Sequence, residues 1–146
     1  LDQKKIPYTA HTYDPESGID GVSVAQTLGQ PPEQVFKTLV TKGASGAYYV
    51  FDIPVAENLD LKKAAKAVGE KSVAMLPQKE LLGLTGYVHG GCSPVGMKKQ
   101  FPTVFHETAV LYGTVCVSAG KIGHQVECDP NALIALLRAK TADVIV

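Results

Sequence analysis

Lys37-Thr38-Leu39-Val40-Thr41 and Ala47-Tyr48-Tyr49-Val50-Phe51-Asp52-Ile53, joined by Lys42 to Gly46, decide the fold class. Both runs are rich in the β-branched and aromatic side chains that suit a pleated, half-buried surface. Their Lys-Gly-Ala-Ser-Gly connection cannot carry a helix onward. The pair therefore reads as an antiparallel hairpin with a moderately long loop.

Upstream, residues 1–5 read as a helix end stopped before Pro7, and Tyr8 to Tyr13 alternates as a strand. Asp14-Pro15-Glu16-Ser17-Gly18 closes that strand with turn chemistry. Val22 to Leu28 is a short helical stretch, ended by Gly29 and Pro31-Pro32, and Glu33 to Phe36 is one helical turn leading into the hairpin. Downstream, Asp60 is a good N-cap for Leu61 to Val68, which carries its apolar residues on one face and ends at Gly69. A short strand at Ser72 to Met75 precedes a helix that opens at Pro77 and closes near Gly83. Thr103 to His106, Val110 to Ser118 and His124 to Cys128 read as strands. Asp129-Pro130 opens a helix running to about Lys140, with a last strand at Asp143 to Val146. Strands outnumber helices, and no repeat, linker or low-complexity stretch divides residues 1–146. The expectation is one α+β domain with a mixed, mostly antiparallel sheet curled towards a barrel and helices around it.

Composition narrows the function classes. A chain of 146 residues with 45% hydrophobic and 19% charged residues is long enough to bury one core. Fourteen basic residues balance fourteen acidic ones, so nucleic-acid contact must come from a local patch. No apolar run approaches the roughly 20 residues of a membrane span, and no signal peptide is visible. The first residue is Leu rather than Met, which points to missing leading residues. Three cysteines without a CxxC spacing fit reduced thiols and a cytoplasmic setting.

The chemistry centres on Gly90-Gly91-Cys92-Ser93-Pro94-Val95-Gly96, followed by Lys98-Lys99. Such a loop is either a tight surface turn or a place where bare backbone N–H groups meet a phosphate or carbonyl oxygen. Lys37, between Phe36 and Leu39, either snorkels to water or is held over a pocket. Ser118, before Ala119-Gly120-Lys121, is of a type that forms turns. The lysine groups 62/63/66 and 98/99 read as solvated faces. Cys92 invites a cysteine-hydrolase reading, but spacing pairs it with none of the histidines at 11, 89, 106 and 124. His89-x-x-Cys92 has no second pair at zinc-finger spacing, so no metal is expected. GxSxG, Walker A and GxGxxG patterns are absent.

Several of these pieces occur together in one order. They are Lys5-Ile6-Pro7-Tyr8, His11-Thr12-Tyr13, Val35-Phe36-Lys37-Thr38-Leu39, Leu61-Lys62-Lys63-Ala64-Ala65-Lys66, Thr85-Gly86-Tyr87 with the glycine loop, and Val117-Ser118-Ala119-Gly120-Lys121. In this combination the chain resembles, over essentially its whole length, the YbaK/EbsC-type aminoacyl-tRNA deacylases, relatives of the prolyl-tRNA synthetase editing domain. The resemblance implies a barrel-like core and hydrolysis of the ester between a wrong amino acid and the tRNA 3′ end. The subgroup with this loop removes cysteine from tRNA(Pro) without metal or cofactor, the substrate's own thiol attacking its carbonyl. It further implies that Lys37 anchors the terminal nucleotide or ester and that Gly91 presents backbone to the carbonyl. Tyr13, Thr38 and Ser118 would shape the pocket, with Gly90, Ser93 and Pro94 in the substrate loop. Lys62, Lys63, Lys66, Lys98 and Lys99 would meet tRNA, and prolyl-tRNA synthetase would complete a ternary complex. The chain departs from the family pattern at Asp20, Cys92 and Gln125. Two other readings are a non-catalytic module holding tRNA 3′ ends or the synthetase, and a cysteine-dependent hydrolase of small esters.

Overall fold

β2 (Phe36–Gly43) and β3 (Tyr48–Pro54) form the expected hairpin, in register from Phe36 opposite Pro54 to Lys42 opposite Tyr48. The computed structural model describes residues 7–14, 28–88, 92–95 and 97–146. The helix expected at 1–5 and nearly all of that at Val22 to Leu28 lie outside the described residues, as do Asp20, His89, Gly90, Gly91 and Gly96. The hairpin is locked from outside by Glu70, whose carboxylate accepts from the Ser45 N–H at 3.2 Å and the Tyr49 hydroxyl at 2.6 Å. A Cβ on Gly43 would lie 2.5 Å from the outer end of the Glu70 side chain, so a larger residue there would push that carboxylate from its place.

The other strands are β1 (Tyr8–Thr12), β4 (Val73–Met75), β5 (Thr103–His106), β6 (Val115–Ser118), β7 (His124–Cys128) and β8 (Lys140–Ala142). The helices are α1 (Leu61–Val68), α2 (Gln78–Thr85) and α3 (Pro130–Leu137). Asp60 caps α1 by accepting from the Lys62 and Lys63 N–H groups, and Asp129 caps α3 through Asn131. Among the described residues none of the helices is long and apolar enough to cross a membrane.

Four of the six strand pairings are antiparallel, and β3–β5 and β5–β8 are parallel. The mixed, mostly antiparallel α+β architecture is thus present, but not as one closed barrel. The strands fall into a sheet β1-β7-β6 and a sheet β4-β2-β3-β5-β8. The reason lies in the outer edge of β2. Its C-terminal half pairs with β4, while its N-terminal approach meets β6 only at the parallel bridge Val35–Cys116.

Four local expectations are corrected. Of Val110 to Ser118, only β6 is strand, because Glu107–Leu111 winds as a 3-10 helix that leaves Leu111 75% exposed and unpaired. α2 continues past Gly83 to Thr85, whose hydroxyl donates to the Leu81 carbonyl before Gly86 ends the helix. α3 stops at Leu137 because Arg138 takes a left-handed conformation, φ 52°. The last strand therefore comes early, at Lys140–Ala142 on the open edge of β5, and not at Asp143 to Val146.

Burial divides along β2. Phe36, with Phe105, Val115, Val117, Leu133 and Leu137, packs between the two sheets and α3. Phe51, Ile53, Val104 and Val144 pack under Ala64 and Ala65 of α1 on the opposite side. Val40, Val50, Cys92, Met97 and Phe101 fix the glycine-loop segment to the hairpin.

Candidate active site

Side chains alternate along a strand, so neighbours in sequence face opposite ways. Lys37 shares its side of β2 with Val35, and Thr38 looks to the other. The Val35–Cys116 bridge is parallel, and two residues further along both strands come Lys37 and Ser118. They are therefore level with each other on the side of Val35 and Cys116. Ser118 pairs directly with Gln125, and Gln125 with His11. A polar row of His11, Gln125 and Ser118 thus crosses the three strands of one sheet, with Lys37 on the same side of the adjoining β2, two residues beyond the single bridge.

Lys37 is half-buried and, among the described residues, has no hydrogen-bond or ion-pair partner. Burial holds its pKa below the usual lysine value, opposed by the negative charge of Glu57. Gln125 is buried, and its Oε1 accepts from Gln30 Nε2 at 2.7 Å. At the end of the row His11 Nε2 lies 2.8 Å from Glu127 Oε1, while the Thr114 hydroxyl donates to the other Glu127 oxygen. These hydrogen bonds, Thr114's first, hold the Glu127 carboxyl below its usual pKa. Tyr13 continues from β1 with its N–H donating to the Gly123 carbonyl at 2.9 Å, which sets it beside this face.

On the opposite face the Thr38 hydroxyl donates to Asp52 Oδ1 at 2.6 Å. Asp52 is completely buried and its Oδ2 has no partner. Burial pushes its pKa up to about 7, against the lowering effect of the Thr38 bond. Since the folded value exceeds the ordinary 3.8, this carboxyl binds more protons folded than unfolded. It therefore withdraws stability as pH rises from about 4 to about 7. The sequence reading treated Asp52 only as strand; its signal was an acid inside the apolar run Val50 to Ile53, opposite Thr38.

The described part of the glycine loop, Cys92 to Val95, is tied down and not a loose surface turn. Ser93 is buried, its Oγ accepting from the Val95 N–H at 3.2 Å, and Pro94 is buried beside it. The Ser93 hydroxyl therefore shapes the loop from within. The Tyr87 hydroxyl donates to the Val95 carbonyl, and its ring edge lies 2.7 Å from where a Cβ on Gly120 would sit. The Gly120 N–H in turn donates to Ser118 Oγ at 3.2 Å. Tyr87 thus couples the loop to the Ser118 turn. Gly120 has φ +94°, so Gly120→Ala both strains the backbone and displaces Tyr87. Its expected cost is about 1–3 kcal/mol, read as a lowered urea midpoint. An unchanged midpoint would show that Tyr87 does not anchor the turn.

Cys92 is buried, and burial followed by the charge of Asp52 pushes its pKa up to about 12. A thiol held in its neutral form in this way is a poor nucleophile, and among the described residues no base beside it would activate it, which tells against the cysteine-hydrolase reading. Among the described residues no three His, Cys, Asp or Glu side chains gather as a metal site would need. Of the lysines, Lys62 and Lys66 are exposed along a shallow groove of about 410 Å³ between α1 and the start of β4. Lys63 is bound to Asp143 at 3.0 Å and to the Ile145 carbonyl at 2.9 Å. Lys98 reaches the Gly83 carbonyl at 3.4 Å, and Lys99 lies 6.0 Å from the centre of the Phe101 ring.

Fold and site together define an α+β domain with a polar strand row, a lysine without a bonded partner among the described residues, and a largely buried Cys92–Val95 segment. The chain belongs to the aminoacyl-tRNA editing domain family, whose model matches residues 19–136. It is 46% identical over 145 residues to EbsC of Enterococcus faecalis (strain ATCC 700802 / V583), provisionally named a Cys-tRNA(Pro)/Cys-tRNA(Cys) deacylase. That match covers 99% of this chain and 88% of EbsC. A proline--tRNA ligase of Fervidobacterium nodosum (strain ATCC 35602 / DSM 5306 / Rt17-B1) is 30% identical over 107 residues, 65% of this chain and 18% of the ligase. In structure the chain resembles a protein provisionally described as a trans-editing enzyme for prolyl tRNA synthetase. The TM-score is 0.85 at 28% identity, over 95% of this chain and 87% of that one.

Proposed function

We propose that this chain is a trans-editing deacylase, one domain over residues 1–146, which hydrolyses mischarged tRNA(Pro) and above all Cys-tRNA(Pro). The carrying observation is the half-buried Lys37 ammonium, without a bonded partner among the described residues and on the side that Ser118 faces, in a chain so similar to EbsC. A partly desolvated cation whose nearest negative charge, that of Glu57, does not offset its burial is favoured by a ligand that brings more. Lys37 receives the negative charge of the terminal nucleotide or of the ester as it reacts, and Gly91 offers its N–H to the carbonyl. Tyr13 and Ser118 shape the pocket on the lysine's side, and Thr38, turned to the other face, shapes it only through the β2 backbone it shares with Lys37. Gly90, Ser93 and Pro94 fix the loop. The cysteine thiol of the substrate is the nucleophile: it loses its proton as its sulfur bonds to the carbonyl carbon, the ester C–O bond breaks, the ribose oxygen takes up a proton, and water then opens the cyclic thioester to free cysteine. The protein contributes position and charge. The setting is the cytoplasm, which suits three unpaired cysteines. The two sheets act as walls of one curled, barrel-like surface joined at Val35–Cys116.

Incubation with Cys-tRNA(Pro), Ala-tRNA(Pro) and Pro-tRNA(Pro), followed by ester quantification, tests the reading. Loss from the cysteinyl ester beyond the others is expected. No loss from any of them would leave the non-catalytic binding module in its place.

Transfer RNA binding is weak and salt-sensitive, through Lys62, Lys66, Lys98 and Lys99, with Lys63 held by Asp143 until phosphate displaces it. Four phosphate contacts imply that log affinity falls with log salt at a slope of about −3. Replacing Lys62 and Lys66 together by alanine should flatten that slope by about 2. An unchanged slope in filter binding would remove the α1 groove from the tRNA surface. Discrimination among tRNAs comes from prolyl-tRNA synthetase in a ternary complex, a partnership supported by the likeness to a proline--tRNA ligase.

A further inference from the structure

We propose that Asp52 is a positioning residue of the deacylase site, holding the Thr38 hydroxyl and the root of the glycine loop at Cys92 in one arrangement. The proposal rests on the deacylase reading above. Three observations carry it. Thr38 spends its only hydrogen on Asp52 Oδ1 at 2.6 Å, so its rotamer is set from β3. Asp52 Oδ2 is buried without a partner, which an ordinary structural carboxylate avoids. Cys92 packs against Val40 and Val50, the residues flanking Thr38 and Asp52 on the same side of the hairpin.

The surroundings leave Asp52 no other role. From β2 it is faced by Thr38, and from β5 by Phe105 and, beyond that, Thr103; His106 points to the far side of that strand. From the loop comes Cys92, which feels the Asp52 charge, with Thr85 and Tyr87 lying against Cys92. Cys92 and Tyr87 are the titratable groups among these, and burial raises both, so neither ionises near neutrality. Among the described residues no cation faces the carboxyl, and no ion pair there explains its place in an otherwise apolar strand. What it does hold is Thr38, next in sequence to Lys37. A shift in Thr38 moves the strand segment that carries the lysine.

The test is a double-mutant cycle on deacylation of Cys-tRNA(Pro). In Asp52→Val the Thr38 hydroxyl loses its acceptor, and in Thr38→Val the hydroxyl itself is lost. Each should lower kcat by about 10- to 100-fold with little change in KM, as misplacement of a reacting group does. The double variant should be no slower than the worse single one. Asp52→Asn keeps an acceptor oxygen and should recover most of the rate. Wild-type kcat in Asp52→Val, or losses that simply multiply in the double variant, would overturn the proposal. Should Asp52→Val fail to fold, the same roles are read from Thr38→Val and Asp52→Asn: a full rate in the first, or a loss in the second equal to that of Thr38→Val, overturns it. If the wild-type protein releases no ester from any tRNA, the deacylase reading fails by itself. Peptide-mapped alkylation of Cys92 by iodoacetamide then reads the coupling directly. Faster alkylation in both single variants, with no further gain in the double, supports Asp52 as the loop's anchor; rates equal to wild type refute it.

Discussion

Lys37→Ala slows ester release from Cys-tRNA(Pro) by about 30- to 1000-fold, the loss of a charge-assisted contact of roughly 2–4 kcal/mol. The ammonium is half-buried, lies beyond reach of any carboxylate among the described residues, and is flanked by the Glu57 charge. Its removal therefore breaks no ion pair and leaves no buried partner orphaned. Stability should change by about 1 kcal/mol or less, so unfolding curves of the variant and the parent nearly coincide. Lys37→Arg restores only part of the rate, because the guanidinium is planar and wider than an ammonium. A variant that loses rate and stability together would make Lys37 a structural residue, and one that keeps full rate would remove it from the site.

The second large effect is on stability. Phe105→Ala removes a fully buried ring that packs on Phe36 at 6.2 Å between centroids, at the junction of both sheets and α3. The cavity and the lost apolar burial cost about 3–5 kcal/mol, a large share of the net stability of a domain this size. Urea unfolding should show a midpoint lowered in proportion, with its slope kept. A shift below about 1 kcal/mol would mean that the junction repacks and that the sheets are held together elsewhere.

Elements bounded by chemistry within the chain itself were legible. Asp60 and Gly69 bracket α1, Asp129-Pro130 opens α3, and the β-branched and aromatic run of β3 selects a strand. What the sequence could not convey was which edges remain free. Val110 and Leu111 alternate like strand residues, yet no strand lies beside them, and they wind into a 3-10 turn. Lys140–Ala142 has little strand character and becomes one because the edge of β5 is open to it. Both parallel pairings join segments far apart in sequence, whereas local patterns reveal hairpins.

The site was legible in the same partial way. Lys37 and Ser118 were singled out from their settings and fall level with each other across the β2–β6 bridge. The proposed partnership of Lys37 with Gly91 falls outside the described residues. Thr38 was grouped with Lys37, but strand alternation sends it to the opposite face, where Asp52 holds it. Asp52 itself was passed over because its burial comes from β5 and the Cys92 segment, and neither is adjacent to it in the chain. Ser93, in the loop expected to meet substrate, accepts from the Val95 N–H, which nothing in the sequence foretells.

The central claim is that this protein positions an ester which the substrate's own thiol then attacks. Its most direct test is the ester half-life of Cys-tRNA(Pro) against the same tRNA with its cysteine thiol alkylated, each with and without the protein. The account predicts that the protein shortens the half-life of the free-thiol ester and leaves the alkylated ester at its protein-free rate. Equal acceleration of both esters, or of neither, would contradict it.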